Sequence, residues 1–292
     1  MEADVFPGRS RLRAGVGFAL AATLAIVLGW AAPAYAAVPD LVVDASNYDS
    51  ASPKSADGWC EGGGAVGGGA YLSGAPGQAY FTAFGFAAAT FSDGARATAA
   101  EDGDGFSGRW SVAAQTLCYP TRLPTYHNHF LGKRGPFASL VTNEASCYEG
   151  EVALAGNARL YSSDGGKFYL SHLIPSADLT SWSAVGREDP LYTAGSASLY
   201  LDLACVNADE LSGLVRVSAS TAAGTDTNAL AVAKCPLGKY LVGSGFSVGG
   251  VGIFVDDVRI SPTGVSVAAY EGQAATTANW SVVAYALCSS GW

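Results

Sequence analysis

The sequence predicts an all-β protein of three antiparallel units. Three observations predict it: six cysteines at a fixed period, one strand written three times, and short β-prone runs punctuated by turn residues. The chain has 292 residues, of which 37 are glycine and 49% are hydrophobic, and only 14% are charged. That balance excludes a disordered chain, because disorder requires low hydrophobicity and high charge density. Cysteines stand at 60, 118, 147, 205, 235 and 288, so alternate ones lie 87 and 88 residues apart counted from Cys60, and 87 and 83 apart counted from Cys118. A fixed period of this length marks duplicated units.

Residues 1–36 carry basic Arg9, Arg11 and Arg13, an apolar run from Ala14 to Trp30, and the small-residue site Ala34-Tyr35-Ala36. This is the layout of a secretory signal peptide cleaved before Ala37. The apolar run is just long enough to stay in a membrane as a helix, but the Ala-x-Ala site and the following Pro39 favour cleavage. Neither a lipid-anchor cysteine near the cleavage site nor a twin-arginine pair is present. No later run approaches the ~18 consecutive apolar residues of a membrane span, so the expectation is a secreted chain with no membrane contact after cleavage.

The rest divides into units at 37–120, 121–208 and 209–292. Each opens with a cysteine followed three residues later by glycine: Gly63, Gly150 and Gly238. Further glycines follow in Gly67-Gly68-Gly69, at Gly156 and in Gly243-Ser244-Gly245. Each closes on a copied strand, Trp110-Ser111-Val112 running to Cys118, Ala197-Ser198-Leu199 to Cys205, and Trp280-Ser281-Val282 to Cys288. The middle copy has Ala197 where the others have tryptophan. Between these ends lie Ala95 to Ala99, Leu179 to Val185 and Val265 to Ala269, each bounded by Gly, Asp, Ser or Thr. Short runs with turn signals at such spacing indicate a sandwich or barrel, and no 3.6-residue stripe supports helix. Little linker remains between units, which favours close packing, either as a threefold β-prism or as three tandem sandwiches.

An exported chain is free to form disulfides. Two pairings respect the threefold symmetry: within units, Cys60 with Cys118, Cys147 with Cys205 and Cys235 with Cys288; or between units, Cys118 with Cys147, Cys205 with Cys235 and Cys60 with Cys288. Pairing within units is expected, because a unit of roughly 85 residues has a thin core and closing a loop of nearly 60 contributes up to ~4 kcal/mol in the chain-entropy account. The absence of any C-x-x-C pair argues against a zinc site.

The Cys-x-x-Gly opening, the glycine-rich turn and the Trp-Ser-Val-x-Ala ending resemble a small repeat module of secreted actinobacterial proteins. In the third unit, Cys235-Pro236-Leu237-Gly238-Lys239-Tyr240-Leu241-Val242-Gly243 and Val255 to Ile260 are similar, over about 30 residues, to the repeat of the vitelline membrane outer layer family. That second resemblance implies a threefold β-prism. Neither implies a catalytic residue.

A net charge of −9 argues against nucleic acid or anionic lipid as a partner, since both carry the protein's own sign. Gly245-Phe246-Ser247-Val248-Gly249 fits the nucleophile-elbow pattern, but the segment reads as strand with no helix after it. Gly62 to Gly67 has dinucleotide-fingerprint spacing without the strand and helix that motif needs, so a turn and a closely approached strand are expected instead. Tyr126-His127-Asn128-His129 would place two imidazoles on one face of a strand, yet no third ligand can be named, and an exposed linker is expected. Glu101-Asp102-Gly103-Asp104-Gly105 has the start of a calcium loop but no closing glutamate, and reads as a solvated hairpin tip. No cofactor or metal is expected.

Duplication of a surface suits a binding role, in which repeated weak sites gain apparent affinity on a repetitive ligand. The expected function is therefore a secreted, non-enzymatic binding or structural module for an extracellular glycan or a protein. Candidate binding aromatics are Trp59, Tyr71, Tyr161, Trp182, Tyr240 and Tyr270, while Trp110 and Trp280 are assigned to the core. The alternative is a secreted hydrolase, whose site would sit unrepeated in one unit. The second unit is then the one to inspect, for Arg159, His172, Trp182, Arg187, Glu188 and Asp189.

Overall fold

Among the described residues, six strands come from each of the three units. The computed structural model describes residues 38–61, 64–88, 93–119, 127–137, 139–162, 167–192, 195–275 and 279–291. The signal segment, Gly62, Gly63 and Tyr126 lie outside them, and the side chains of His127 and His129 are likewise outside what is described. The first unit gives β1 (Asp40–Ala45), β2 (Lys54–Trp59), β3 (Gly64–Ser73), β4 (Ala79–Ala88), β5 (Asp93–Glu101) and β6 (Ser111–Tyr119). The second gives β7 (His127–Phe137), β8 (Leu140–Ser146), β9 (Glu151–Ser162), β10 (Phe168–Pro175), β11 (Ser181–Glu188) and β12 (Ala197–Asn207), followed by a 3-10 turn at Ala208–Glu210. The third gives β13 (Val215–Ser220), β14 (Asn228–Lys234), β15 (Tyr240–Val248), β16 (Ile253–Ser261), β17 (Gly264–Glu271) and β18 (Val282–Ser289). No α-helix occurs among the described residues.

Within every unit the first, sixth and third strands pair side by side, as do the second, fifth and fourth, always antiparallel. Each unit is thereby split between two sheets. Sheet I runs β1-β6-β3-β16-β17-β14, sheet II β2-β5-β4-β9-β12-β7, and sheet III β13-β18-β15-β10-β11-β8. Because each sheet takes three strands from each of two units, the cycle closes, which excludes tandem sandwiches and gives the prism-like arrangement. The seams are narrow: Tyr71↔Asp257 and Ala70↔Val258 in sheet I, three pairs from Ala83↔Arg159 to Gly85↔Asn157 in sheet II, and His172↔Ser247 with Leu173↔Phe246 in sheet III.

Glycine is required where the backbones close in at all three seams, and at the third a Cβ on Gly245 would stand 2.4 Å from the Leu173 carbonyl oxygen. A Cβ on Gly69 would stand 2.5 Å from the Val258 carbonyl oxygen, and one on Gly85, at φ +142°, would stand 2.2 Å from that of Gly156. Gly69, two residues beyond the Gly62 to Gly67 stretch, thus serves close strand approach, whereas a Cβ on Gly67 would meet no atom nearer than the Leu117 side chain at 3.6 Å and Gly62 and Gly63 lie outside the described residues.

Inward-facing side chains of all three sheets merge into one core that includes Phe84, Trp110, Trp182, Leu173, Phe246 and Trp280. At one end, β4, β10 and β16 each carry a bulge, between Phe81 and Ala83, Leu170 and His172, and Val255 and Asp257. Bulges re-aim side chains, and just before each one a ring turns onto the common axis. Tyr80, Tyr169 and Phe254 meet there with centroids 5.7, 5.0 and 4.9 Å apart, in the tilted and edge-on geometries that ring quadrupoles favour.

The disulfides are Cys60–Cys118, Cys147–Cys205 and Cys235–Cys288, with Cα separations of 5.5, 5.8 and 5.6 Å, so pairing is within units. Each joins the end of a strand in one sheet to a strand of the next. The first, for example, ties the residue after β2 in sheet II to β6 in sheet I. A unit split between two sheets is thereby held together covalently.

Candidate functional site

Five of the six sequence-predicted binding aromatics lie on outward faces of the sheets, and the sixth does not. Trp182 is a correction: it is fully buried on the inward face of β11, and its ring N–H donates to the Ala153 carbonyl at 3.0 Å. Alternation along β11 turns Trp182, Ala184 and Gly186 inward, while Ser183, Val185 and Arg187 face outward. Tyr240 begins β15 in sheet III, half-buried. Tyr71 and Tyr270 share the outer face of sheet I with Arg259, whose guanidinium lies 3.8 Å from the centroid of the Tyr71 ring and whose Nε donates to Asp257 at 3.1 Å. Burial pushes the Asp257 carboxyl up, and Arg259 opposes the shift.

Trp59 and Tyr161 share the outer face of sheet II. Tyr161 is 55% exposed and meets Tyr200 of β12 edge-on at 5.2 Å. The alternation of β9 sets Arg159 and Tyr161 outward together. Arg159 Nη2 donates to Asp202 at 2.7 Å. Across the seam, Arg96 of β5 grips Asp57 of β2 with two bonds, at 2.6 and 3.1 Å, which holds the guanidinium charged, and Tyr161 lies near enough to add to that effect. The exposed tyrosine therefore stands between two Arg–Asp pairs drawn from two units.

Sequence reasoning named Tyr161 and Arg159 but missed Tyr200, Asp202, Arg96 and Asp57. Their outward parity is readable from alternation along β12, β5 and β2. Their meeting is not, because it depends on the β4–β9 seam.

The second unit's distinctive residues do not converge. Arg159 lies on the outer face of sheet II, Trp182 in the core, and His172 on the outer face of sheet III. Asp189 lies at the axial end, fully buried, with Oδ2 accepting from Gly103 N at 2.6 Å and Oδ1 from Leu191 N at 3.0 Å. Glu188 accepts from Gly195 N at 2.9 Å. His172 bonds Ser171 Oγ through Nδ1 at 2.8 Å, and burial, with Arg187 nearby, pushes it down to about 4, so it is neutral at pH 7. Ser247 is the cross-strand neighbour of His172, yet it sits 8% exposed inside β15, with no elbow to lift it and no described bond to the imidazole.

The solvated-tip reading of the Asp102 loop is also corrected, since Asp102 is fully buried and only Asp104 is exposed. Among the described residues, the group of three possible metal ligands packed within 4.8 Å is Cys147, Glu151 and Cys205, and its two sulfurs are joined in a disulfide. A depression of about 450 Å³ over Leu140, Thr142, Glu144, Ser183 and Val185 in sheet III has no aromatic lining. Compared with protein-family models and with curated proteins, the sequence matches none of them.

Proposed function

We propose that the chain is a secreted, non-enzymatic module that binds an extracellular glycan on the outer face of sheet II. The observation that carries this reading is Tyr161, exposed and braced by Tyr200 between the Arg159–Asp202 and Arg96–Asp57 pairs. A sugar presents C–H faces to an aromatic ring and hydroxyls at its rim, and paired guanidinium and carboxylate groups offer both donors and acceptors to those hydroxyls. The open sheet surface suits an extended polymer better than a small enclosed substrate. Three disulfides fit an oxidising compartment, and the N-terminal signal layout supports export. The scattering of the second unit's acids, arginines and histidine weighs against the hydrolase alternative.

A glycan array on the secreted chain, followed by calorimetry on the best ligand, tests the proposal. Tyr161→Ala should weaken binding about tenfold, from a stacking contribution of about 1–1.5 kcal/mol. Release of shortened products from any bound polymer would replace this reading with the hydrolase. A positive pull-down of a protein with a blank array would replace the glycan with a protein partner.

A further inference from the structure

We propose that the axial end of the prism holds a divalent-cation site on the Asp102-Gly103-Asp104 loop, with Ca²⁺ as its occupant. The Asp102 side chain is enclosed, yet neither of its carboxylate oxygens accepts a hydrogen bond from any described donor. Burying an acceptor unpaired costs its full desolvation, so such an atom calls for a partner.

A second, separate group points the same way. Tyr80 is 1% exposed, its hydroxyl has no described partner, and it lies within the field of Asp102 and Asp189. One of these groups belongs to the loop and the other feels its charge.

The other groups around that loop are mainly negative. The Asp104 carboxyl lies beside that of Asp102. Glu101 gives Oε1 to the Trp110 ring N–H at 3.0 Å, and its Oε2 would stand 3.8 Å from a Cβ on Gly105. The ammonium facing this set, Lys167 Nζ, donates to the Asp102 backbone carbonyl and leaves the carboxylate untouched. Among the described residues, the carboxylates of Glu101, Asp102, Asp104 and Asp189 stand at this loop with the Lys167 ammonium. Asp189 has both oxygens committed to backbone N–H groups, one of them Gly103 between the two aspartates, so it positions the loop and does not ligate. The ligands are Asp102 and Asp104, completed by carbonyl oxygens and water. Oxygen-only donors select a hard cation, and a flexible, incomplete carboxylate set suits Ca²⁺ better than the strict octahedron of Mg²⁺.

The site is particular to the first unit, because the matching corners read Asp189-Pro190-Leu191 and Gly272-Gln273-Ala274.

The test is thermal melting of the whole secreted chain in CaCl₂ or MgCl₂, with calorimetry for affinity. Two carboxylates place the dissociation constant at about 0.1–1 mM, so 10 mM Ca²⁺ should raise Tm by about 3–5 °C, with a smaller effect from Mg²⁺. Asp104→Asn, at an exposed position, should melt near wild type without Ca²⁺ and lose the shift. Tb³⁺ should emit on tyrosine excitation, and Tyr80→Phe should dim that emission. A missing Ca²⁺ shift, or an equal shift in Asp104→Asn, would overturn the proposal. The sheet II face does not enter these readouts, so this result and that of the glycan array are independent.

Discussion

The second unit differs from its neighbours at the start of the closing strand, and the difference separates what the fold needs from what it tolerates. In the first unit Trp110 donates its ring N–H to Glu101 at 3.0 Å, and in the third Trp280 donates to Glu271 at the same distance. Both tryptophans are buried, and each locks the end of the fifth strand to the start of the sixth. The second unit has Ala197 there, and its Glu188 turns instead to Gly195 N. One unit of three closes without the indole because a neighbouring backbone N–H satisfies the carboxylate.

Truncation of those tryptophans breaks the comparison most severely. Trp110→Ala or Trp280→Ala removes a buried indole and leaves its glutamate without that partner, and should cost about 3–5 kcal/mol in denaturant unfolding. Trp110 should lie at the upper end, since Lys54 Nζ also stands 5.1 Å from its ring centroid. If either variant kept wild-type stability, the second unit's arrangement would be the general one and the indoles would be ornament.

The cysteine period, the copied closing strand and the disulfide pairing were legible because they are local or periodic. Pairing within units followed from the thin core that each unit has. Sheet sharing was not legible. The seam that joins Tyr71 to Asp257 depends on glycines at the closest approach and on bulges, and neither announces its partner in sequence. For the same reason the Tyr161 face was half visible, in the residues of β9 alone. Trp182 was misplaced because its aromatic character outweighed the alternation with Ser183 and Arg187, which already turned it inward. Asp102 was misread because a run of Asp and Gly looks like a tip, whereas the loops of two units bury it.

The bulge residue of β4, β10 and β16 offers a sharper contrast. Thr82 and Ser171 occupy the bulge in the first two units and donate their hydroxyls to the carbonyls of Thr98 and Val185, each at 3.3 Å. The third unit has Asp256, almost wholly buried, with Oδ2 accepting from Gly77 N at 3.2 Å and Oδ1 without a partner among the described residues. Burial pushes Asp256 well up, so the folded state holds a proton that the unfolded chain releases above pH 4. The unfolded state then binds fewer protons, and stability falls as pH rises from about 4 toward the folded value. Asp256→Asn keeps the acceptor for Gly77 and removes the ionisation, so it should gain about 1–3 kcal/mol at pH 8 and little at pH 4. A variant that gained equally at both pH values would show that proton uptake is not the cause.

The smallest effect lies in the axial rings, where the three units give three answers at one position. The Tyr169 hydroxyl accepts from Gly252 N at 3.0 Å, that of Tyr80 has no described partner, and Phe254 has no hydroxyl. The rings pack alike, so the hydroxyls can be compared with packing held constant. Tyr169→Phe should cost about 1–2 kcal/mol, because it strands a buried backbone N–H. Tyr80→Phe should be neutral or slightly stabilising in metal-free buffer, because it removes an oxygen that has no partner among the described residues. Urea melts of both variants with EDTA present measure the difference directly. Equal losses would mean that the Tyr80 hydroxyl is held by a partner after all, whereas a loss confined to Tyr169→Phe would leave that hydroxyl for a ligand that the chain itself does not supply.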